Sequence, residues 1–200
     1  MRLKQVSALR VQEYFLTTPM GHHNWTKIVP CIWREGRWAI RSMLWMNKDV
    51  EAEQVLIESP DLTAAVIQLP ERLIFMASVY VEEGDAQALY CTCNSLRKAI
   101  TKVRLDTGTV VEVMIMGDFN RHVIFWGVDD VFLERQGEVC PIIESMNEFA
   151  LSSLLKRGTK TWHGGGQGGD CESMIDLVPA SENLTDSMRN HELFELLQLF

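Results

Sequence analysis

No apolar run in this 200-residue sequence approaches the roughly 20 residues of a bilayer-spanning helix, so no transmembrane helix is expected. The opening Met1-Arg2-Leu3-Lys4-Gln5-Val6-Ser7 lacks the apolar core and small-residue cleavage site of a secretory leader, which points to an intracellular protein. Cysteine is sparse. Five residues, odd in number and irregularly spaced, suit free thiols in a reducing compartment, and none has the C-x₂-C spacing of a zinc site. Basic charge is short as well: 19 Lys and Arg against 27 Asp and Glu leave a net charge of -8. A broad basic face for nucleic acid needs the opposite balance, so any phosphate contact must be local or bridged by a metal ion. The glycine-rich stretch 163–169 is not followed by Gly-Lys-Ser/Thr, which excludes a phosphate loop and leaves a hairpin connection between strands bearing Thr161 and Asp176.

What is present is ordinary globular material, 46% hydrophobic and 23% charged, with no repeat or proline-rich linker to divide it. Residues 8–12 are strand-like, and residues 38–46 and 63–69 alternate as strands do. Residues 72–81 are nearly continuously apolar, which predicts a strand buried on both faces. Residues 110–116 are similar, and Gly117 is expected to end that strand and let the backbone turn. After Asp85, positions Ala88, Leu89, Leu96, Ala99, Ile100 and Val103 recur at helical spacing. Pro141 opens a second helical pattern through Ile142, Met146, Leu151, Leu154 and Leu155, with Gly158 as its expected C-cap. Strands and helices in this order describe a layered α/β domain.

The sharpest chemical signal is Gly117-Asp118-Phe119-Asn120-Arg121-His122, directly after a buried strand. Open α/β sheets bind ligands beyond the carboxyl ends of their strands. A carboxylate and an amide two residues apart suit a hard metal and a phosphate; equally, they suit an Asp-Asn turn that closes its own backbone. Gln12-Glu13 ends the first strand-like segment. Asp176, inside Ser173-Met174-Ile175-Asp176-Leu177-Val178, must be paired or metal-bound if it points inward. Trp25, Trp33, Trp38 and Trp45 lie among Lys27, Arg34, Arg37, Arg41 and Lys48, a pattern open to two readings: a stacking surface for a nucleic-acid strand, or packing.

In order, these stretches resemble the endonuclease/exonuclease/phosphatase family and, within it, the endonuclease domain of fungal LINE-type (non-LTR) retrotransposons. The resemblance is carried by Gln12-Glu13, residues 20–25, residues 37–41, residues 59–63, Ser78-Val79-Tyr80, residues 117–122, Trp126-Gly127, residues 158–162 and residues 175–178. It implies a four-layer α/β sandwich, two packed mixed β-sheets flanked by helices, incomplete at its N- and C-terminal ends. It implies metal-dependent hydrolysis of DNA phosphodiesters, with Mg²⁺ or Mn²⁺ as cofactor, DNA as partner and the nucleus as location. By the same resemblance Glu13 is the metal ligand, Asp118 positions or activates the attacking water, and Asn120 is its amide partner. Tyr80 bonds a phosphate oxygen and Asp176 fixes the network. Thr161, Arg121, His122 and Trp126 line the substrate side.

The family domain opens with an asparagine-bearing strand and closes with a Ser-Asp-His run, and neither occurs here. His191 stands near the expected place, in Arg189-Asn190-His191-Glu192, without the preceding aspartate. Residues 1–188 are therefore expected to form a partial domain, and residues 189–200 a divergent apolar tail that either covers a surface or comes from a shifted reading frame. A missing acid/base group lowers rates by about 10²- to 10⁴-fold, so impaired turnover is expected. Two further readings follow: a non-catalytic remnant of the same domain, and a small-molecule phosphoesterase of the same fold.

Overall fold

The computed structural model describes residues 8–10, 25–32, 40–121, 126, 139–166 and 169–189. Strands β1 (Ala8–Arg10), β2 (Trp25–Ile28) and β3 (Leu44–Asn47) form an antiparallel sheet in the order β1-β3-β2. A larger sheet runs through β4 (Glu51–Val55), β5 (Leu62–Leu69), β6 (Arg72–Tyr80), β7 (Val111–Asp118), β12 (Pro179–Ser181) and β8 (Leu151–Ser153), in that order. The short β11 (Asp176–Leu177) pairs with the end of β7. Only β6 and β7 run parallel within it, joined by the long helix α1 (Ala86–Thr107), as parallel neighbours require. A hairpin of β9 (Trp162–Gly166) and β10 (Gly169–Ser173), and the helices α2 (Cys140–Glu148) and α3 (Glu182–Arg189), complete the described elements.

Period-two alternation divides β5, β6 and β7 between two cores. Leu62, Phe75, Ala77, Val79, Val113 and Ile115 face α1 and α2, where they meet Leu89, Leu96, Ile100 and Ile142. Ala65, Ile67, Ile74, Met76, Met114 and Met116 face the other way and pack on Leu44, Met46 and Ile28 of the smaller sheet and on Leu184 of α3. The result is the expected α/β sandwich of two packed sheets flanked by helices. No helix of the described residues is long and apolar enough to cross a membrane.

The elements legible from periodicity are present with shifted ends. Asp85 caps α1 by accepting from the Ala88 N–H at 2.8 Å, and Gly108 closes it in the left-handed region at φ 60. On this helix Cys91 is exposed and Cys93 is buried, and burial pushes the Cys93 thiol up to about 11. Iodoacetamide at pH 8 is therefore expected to modify Cys91 and spare Cys93, as peptide mass mapping would show.

Four expectations change. The second helix stops at Glu148, because Ala150 sits at φ 52 and Leu151–Ser153 pairs with β12. Gly158, at φ 81, then makes a turn whose N–H donates to the Trp126 carbonyl at 2.8 Å, so it caps no helix. The strand expected over 38–46 is reduced to Leu44–Asn47, with 40–43 buried but outside any ladder and residues 38–39 outside the described ones. Gly164, Gly165, Gly166 and Gly169 lie in paired strands, and Asp176 sits on β11 beyond the hairpin, on neither of its strands.

Candidate active site

At the carboxyl end of β6, Tyr80 stands opposite Asp118 of β7 in the parallel ladder, and Asp118 stands opposite Asp176 of β11. Residues paired across a ladder point to the same side, so one row, Tyr80–Asp118–Asp176, crosses three strands. The row lies on the face that packs against the smaller sheet, one step beyond the inter-sheet core. Asp176 is buried, while Tyr80 and Asp118 are half-buried. One step below, Thr63, Ser78 and Met116 form the next row. Ser42 and Thr63 share a hydroxyl hydrogen bond at 3.0 Å, and the buried Ser78 Oγ has no partner among the described residues.

Beyond Asp118 the chain leaves the sheet through a tight turn and does not stay extended. Asp118 Oδ1 accepts the Asn120 N–H at 2.9 Å, and Asn120 takes the left-handed conformation at φ 47. Asn120 Nδ2 donates to the Val81 carbonyl at 2.8 Å, which ties the turn to the chain just past Tyr80. The turn reading of Asp-x-Asn is the one seen: the pair closes its own backbone, and the ladder sets Asp118 opposite Tyr80 and Asp176. Gly117 does not end β7, which continues through Asp118. Its glycine is required by close approach: a Cβ there would lie 2.6 Å from Val79 Cβ and 2.7 Å from the Val79 carbonyl oxygen.

Thr161 positions Asp176 from behind. Its Oγ1 accepts the backbone N–H groups of both Ile175 and Asp176 at 3.1 Å. Thr161→Val, which keeps the shape and removes the acceptor, leaves two buried donors without it. It is expected to cost about 1–3 kcal/mol in urea unfolding.

Arg121 and Trp126 stand apart from the row. Arg121 is buried, and its guanidinium donates to the main-chain carbonyls of Asn120 at 3.0 Å and Asp85 at 2.6 Å. Trp126 is buried in the helix-side core, and its indole N–H donates to the Arg121 carbonyl at 3.1 Å. These contacts hold the loop after Asn120 onto the start of α1. Both side chains, expected on the substrate side, thus contact main-chain carbonyls and, for Trp126, the helix-side core. Glu13 and His122 lie outside the described residues, as do His22, His23, Trp33, Trp38 and residues 190–200.

A group that the sequence reading placed elsewhere joins the site. Arg41, grouped with the basic and aromatic residues of a possible nucleic-acid surface, is buried. Its Nε and one terminal nitrogen grip the Asp61 carboxylate at 2.9 and 3.1 Å. Its other terminal nitrogen reaches Glu82 at 3.1 Å, and its Cζ lies 4.4 Å from the centre of the Tyr80 ring. Burial pulls the Arg41 pKa down, but the Asp61 and Glu82 carboxylates outweigh it and raise the value. The legible signal was a charged residue inside the apolar run Ile40-Arg41-Ser42-Met43-Leu44, which demands a buried partner.

Among the described residues no group of three or more His, Cys, Asp or Glu gathers as a metal cluster. The row does present two carboxylates directly opposite each other across a ladder, where like charges repel. An all-oxygen donor set of this kind fits a hard divalent cation, whose charge offsets that repulsion.

Residues 74–197 match the family model described as endonuclease-reverse transcriptase. The chain thus belongs to the endonuclease-reverse transcriptase group of the endonuclease/exonuclease/phosphatase family, close to retrotransposon endonuclease domains. No curated protein matches it in sequence. Among solved structures, it is similar to the endonuclease domain of TRAS1, a telomere-specific non-LTR retrotransposon: TM-score 0.65 and 15% identity, over 90% of this chain and 75% of that one. It also resembles the human Nocturnin catalytic domain (TM-score 0.54, 11% identity, 89% of this chain and 69% of that one). TDP2 from D. rerio, solved with a single-stranded DNA product, superposes with TM-score 0.54 and 10% identity, over 88% of this chain and 72% of that one. At such identities the likeness is one of fold.

Proposed function

We propose that this chain is a metal-dependent phosphodiesterase that cuts DNA in the manner of a retrotransposon endonuclease. The observation that carries this reading is the Tyr80–Asp118–Asp176 row at the open end of the only parallel strand pair among the described residues. In-line displacement at phosphorus needs an oriented water, a donor to a non-bridging oxygen and an offset for developing charge. Asp118 orients and deprotonates the water, and the Tyr80 hydroxyl donates to the phosphate. Asp176, fixed by Thr161, keeps the acidic row in register. Asn120 caps the Asp118 carboxylate through its backbone N–H and anchors the turn, through its amide, to the chain just past β6. Glu13, with the carboxylates of the row, would hold Mg²⁺ or Mn²⁺, which when bound neutralises charge on the phosphate. A local acidic site of this kind is compatible with a net charge of -8, since the metal supplies the phosphate contact that a basic face supplies elsewhere. Chromosomal DNA as substrate makes the nucleus the expected location.

The deciding experiment is nicking of supercoiled plasmid with Mg²⁺, run beside EDTA and beside a soluble phosphodiester. Metal-dependent nicking supports the reading. Hydrolysis of the soluble ester without nicking supports the small-molecule phosphoesterase, and a folded chain that hydrolyses neither is a remnant.

A further inference from the structure

We propose that Arg41 is a positioning residue: it clamps the Tyr80 ring so that the phenol meets the phosphate in a fixed orientation. Its bearing on turnover rests on the phosphodiesterase reading above; the clamp on the ring does not.

The geometry of Arg41 is that of a clamp and not of a phosphate ligand. Three hydrogen bonds fix its guanidinium plane, two to Asp61 and one to Glu82. Two carboxylates already meet its charge, so no net cation is left for a nucleic acid. Both carboxylates belong to Tyr80's own surroundings. Asp61 accepts the Tyr80 N–H through its main-chain carbonyl at 2.9 Å, and Glu82 follows Tyr80 by two residues. The plane is thus tied at both ends to the chain around Tyr80, and the face of the Tyr80 ring lies on it at 4.4 Å. The Arg41 and Asp61 side chains are only 10% and 11% exposed, so water competes little for the two bonds between them. Ser42, Thr63 and Ser78, all buried, lie just beneath and give the clamp a rigid floor. Tyrosine on a strand end otherwise has two freely turning side-chain bonds, and a hydroxyl donor 1 Å out of place loses much of its value in a transition state. Lysine cannot replace this arginine, because a point charge on a flexible stem offers neither the planar fork nor the flat stacking surface.

The test uses Arg41→Lys and Asp61→Asn, which preserve volume, each in the wild-type and the Tyr80→Phe backgrounds. Nicking is measured as kcat and KM separately. Each single variant is expected to lower kcat by about 10- to 100-fold, the range typical of residues that orient a reacting group, with KM little changed. In the Tyr80→Phe background, where no phenol remains to be oriented, the same substitutions are expected to cost almost nothing more. Independently of turnover, 3-fluorotyrosine is incorporated and ¹⁹F NMR recorded. The chain has three tyrosines, and the Tyr80 signal is the one absent from Tyr80→Phe. That signal is expected to move and narrow in both variants. An unmoved Tyr80 signal, or kcat losses that simply add to that of Tyr80→Phe, overturns the proposal. A wild-type chain that nicks nothing, with a Tyr80 signal that still responds to Arg41→Lys, defeats the phosphodiesterase reading and leaves the ring clamp standing. Should Arg41→Lys fail to fold, Asp61→Asn carries the same two readouts.

Discussion

Asp118→Asn is expected to lower Mg²⁺-dependent plasmid nicking by about 10²- to 10⁴-fold while leaving the urea midpoint close to wild type. The asparagine keeps an oxygen where Oδ1 now accepts the Asn120 N–H, so the turn after β7 survives. What it removes is the negative charge proposed to orient and deprotonate water. Asp118→Ala removes both, and should add to the same kinetic loss about 0.5–2 kcal/mol of stability for the lost turn bond, as for a capping side chain. The comparison separates chemistry from folding. Equal activity in Asp118→Asn and wild type would remove Asp118 from the reaction.

Gly117→Ala is expected to destabilise the fold strongly. Its Cβ would meet Val79 Cβ at 2.6 Å, the Val79 carbonyl oxygen at 2.7 Å and Phe119 Cε2 at 3.2 Å. Two of those three atoms cannot swing away: one is backbone and one is a Cβ fixed to it. Relief requires β6 and β7 to separate at the register that holds Tyr80 against Asp118. A loss of about 1–3 kcal/mol, the usual cost of overpacking, is the expected minimum, accompanied by slower nicking. Val79→Ala in the same chain should not restore either property, because alanine keeps the offending Cβ and the carbonyl. Full recovery in the double variant would show that the close approach is not the cause.

How much of this was legible beforehand depends on how far each feature reaches along the chain. The α1 helix was readable because its cap, its buried stripe and its closing glycine all lie within 24 residues of each other. Asp118 and Asp176 stood out as carboxylates set against apolar strands. Helical spacing overstates the second helix, because Leu151, Leu154 and Leu155 keep that spacing across a backbone reversal at Ala150, and pairing with β12 overrides periodicity there. Strand β4 left no trace in the pattern. It is an edge strand, and Glu51, Glu53 and Gln54 are exposed where alternation would show. Gly117 looks locally like a turn because the reason for glycine, Val79 on the neighbouring strand, sits 38 positions away and leaves no local mark. The Arg41–Asp61 pair escaped for the same reason. Asp61 follows Ser59-Pro60 and looks like a turn residue, and only the fold brings it to an arginine 20 positions earlier.

Tyr80, Asp118 and Asp176, together with Glu13, are proposed to surround one cation site. Iron-directed cleavage tests it most directly: Fe²⁺ with ascorbate and peroxide is allowed to replace the divalent cation, and the backbone is cut wherever the metal sits. Fragments ending near residues 13, 80, 118 and 176, all suppressed by excess Mg²⁺, are the result expected. Cuts confined to one of these positions, or cuts that Mg²⁺ does not suppress, would contradict a shared site.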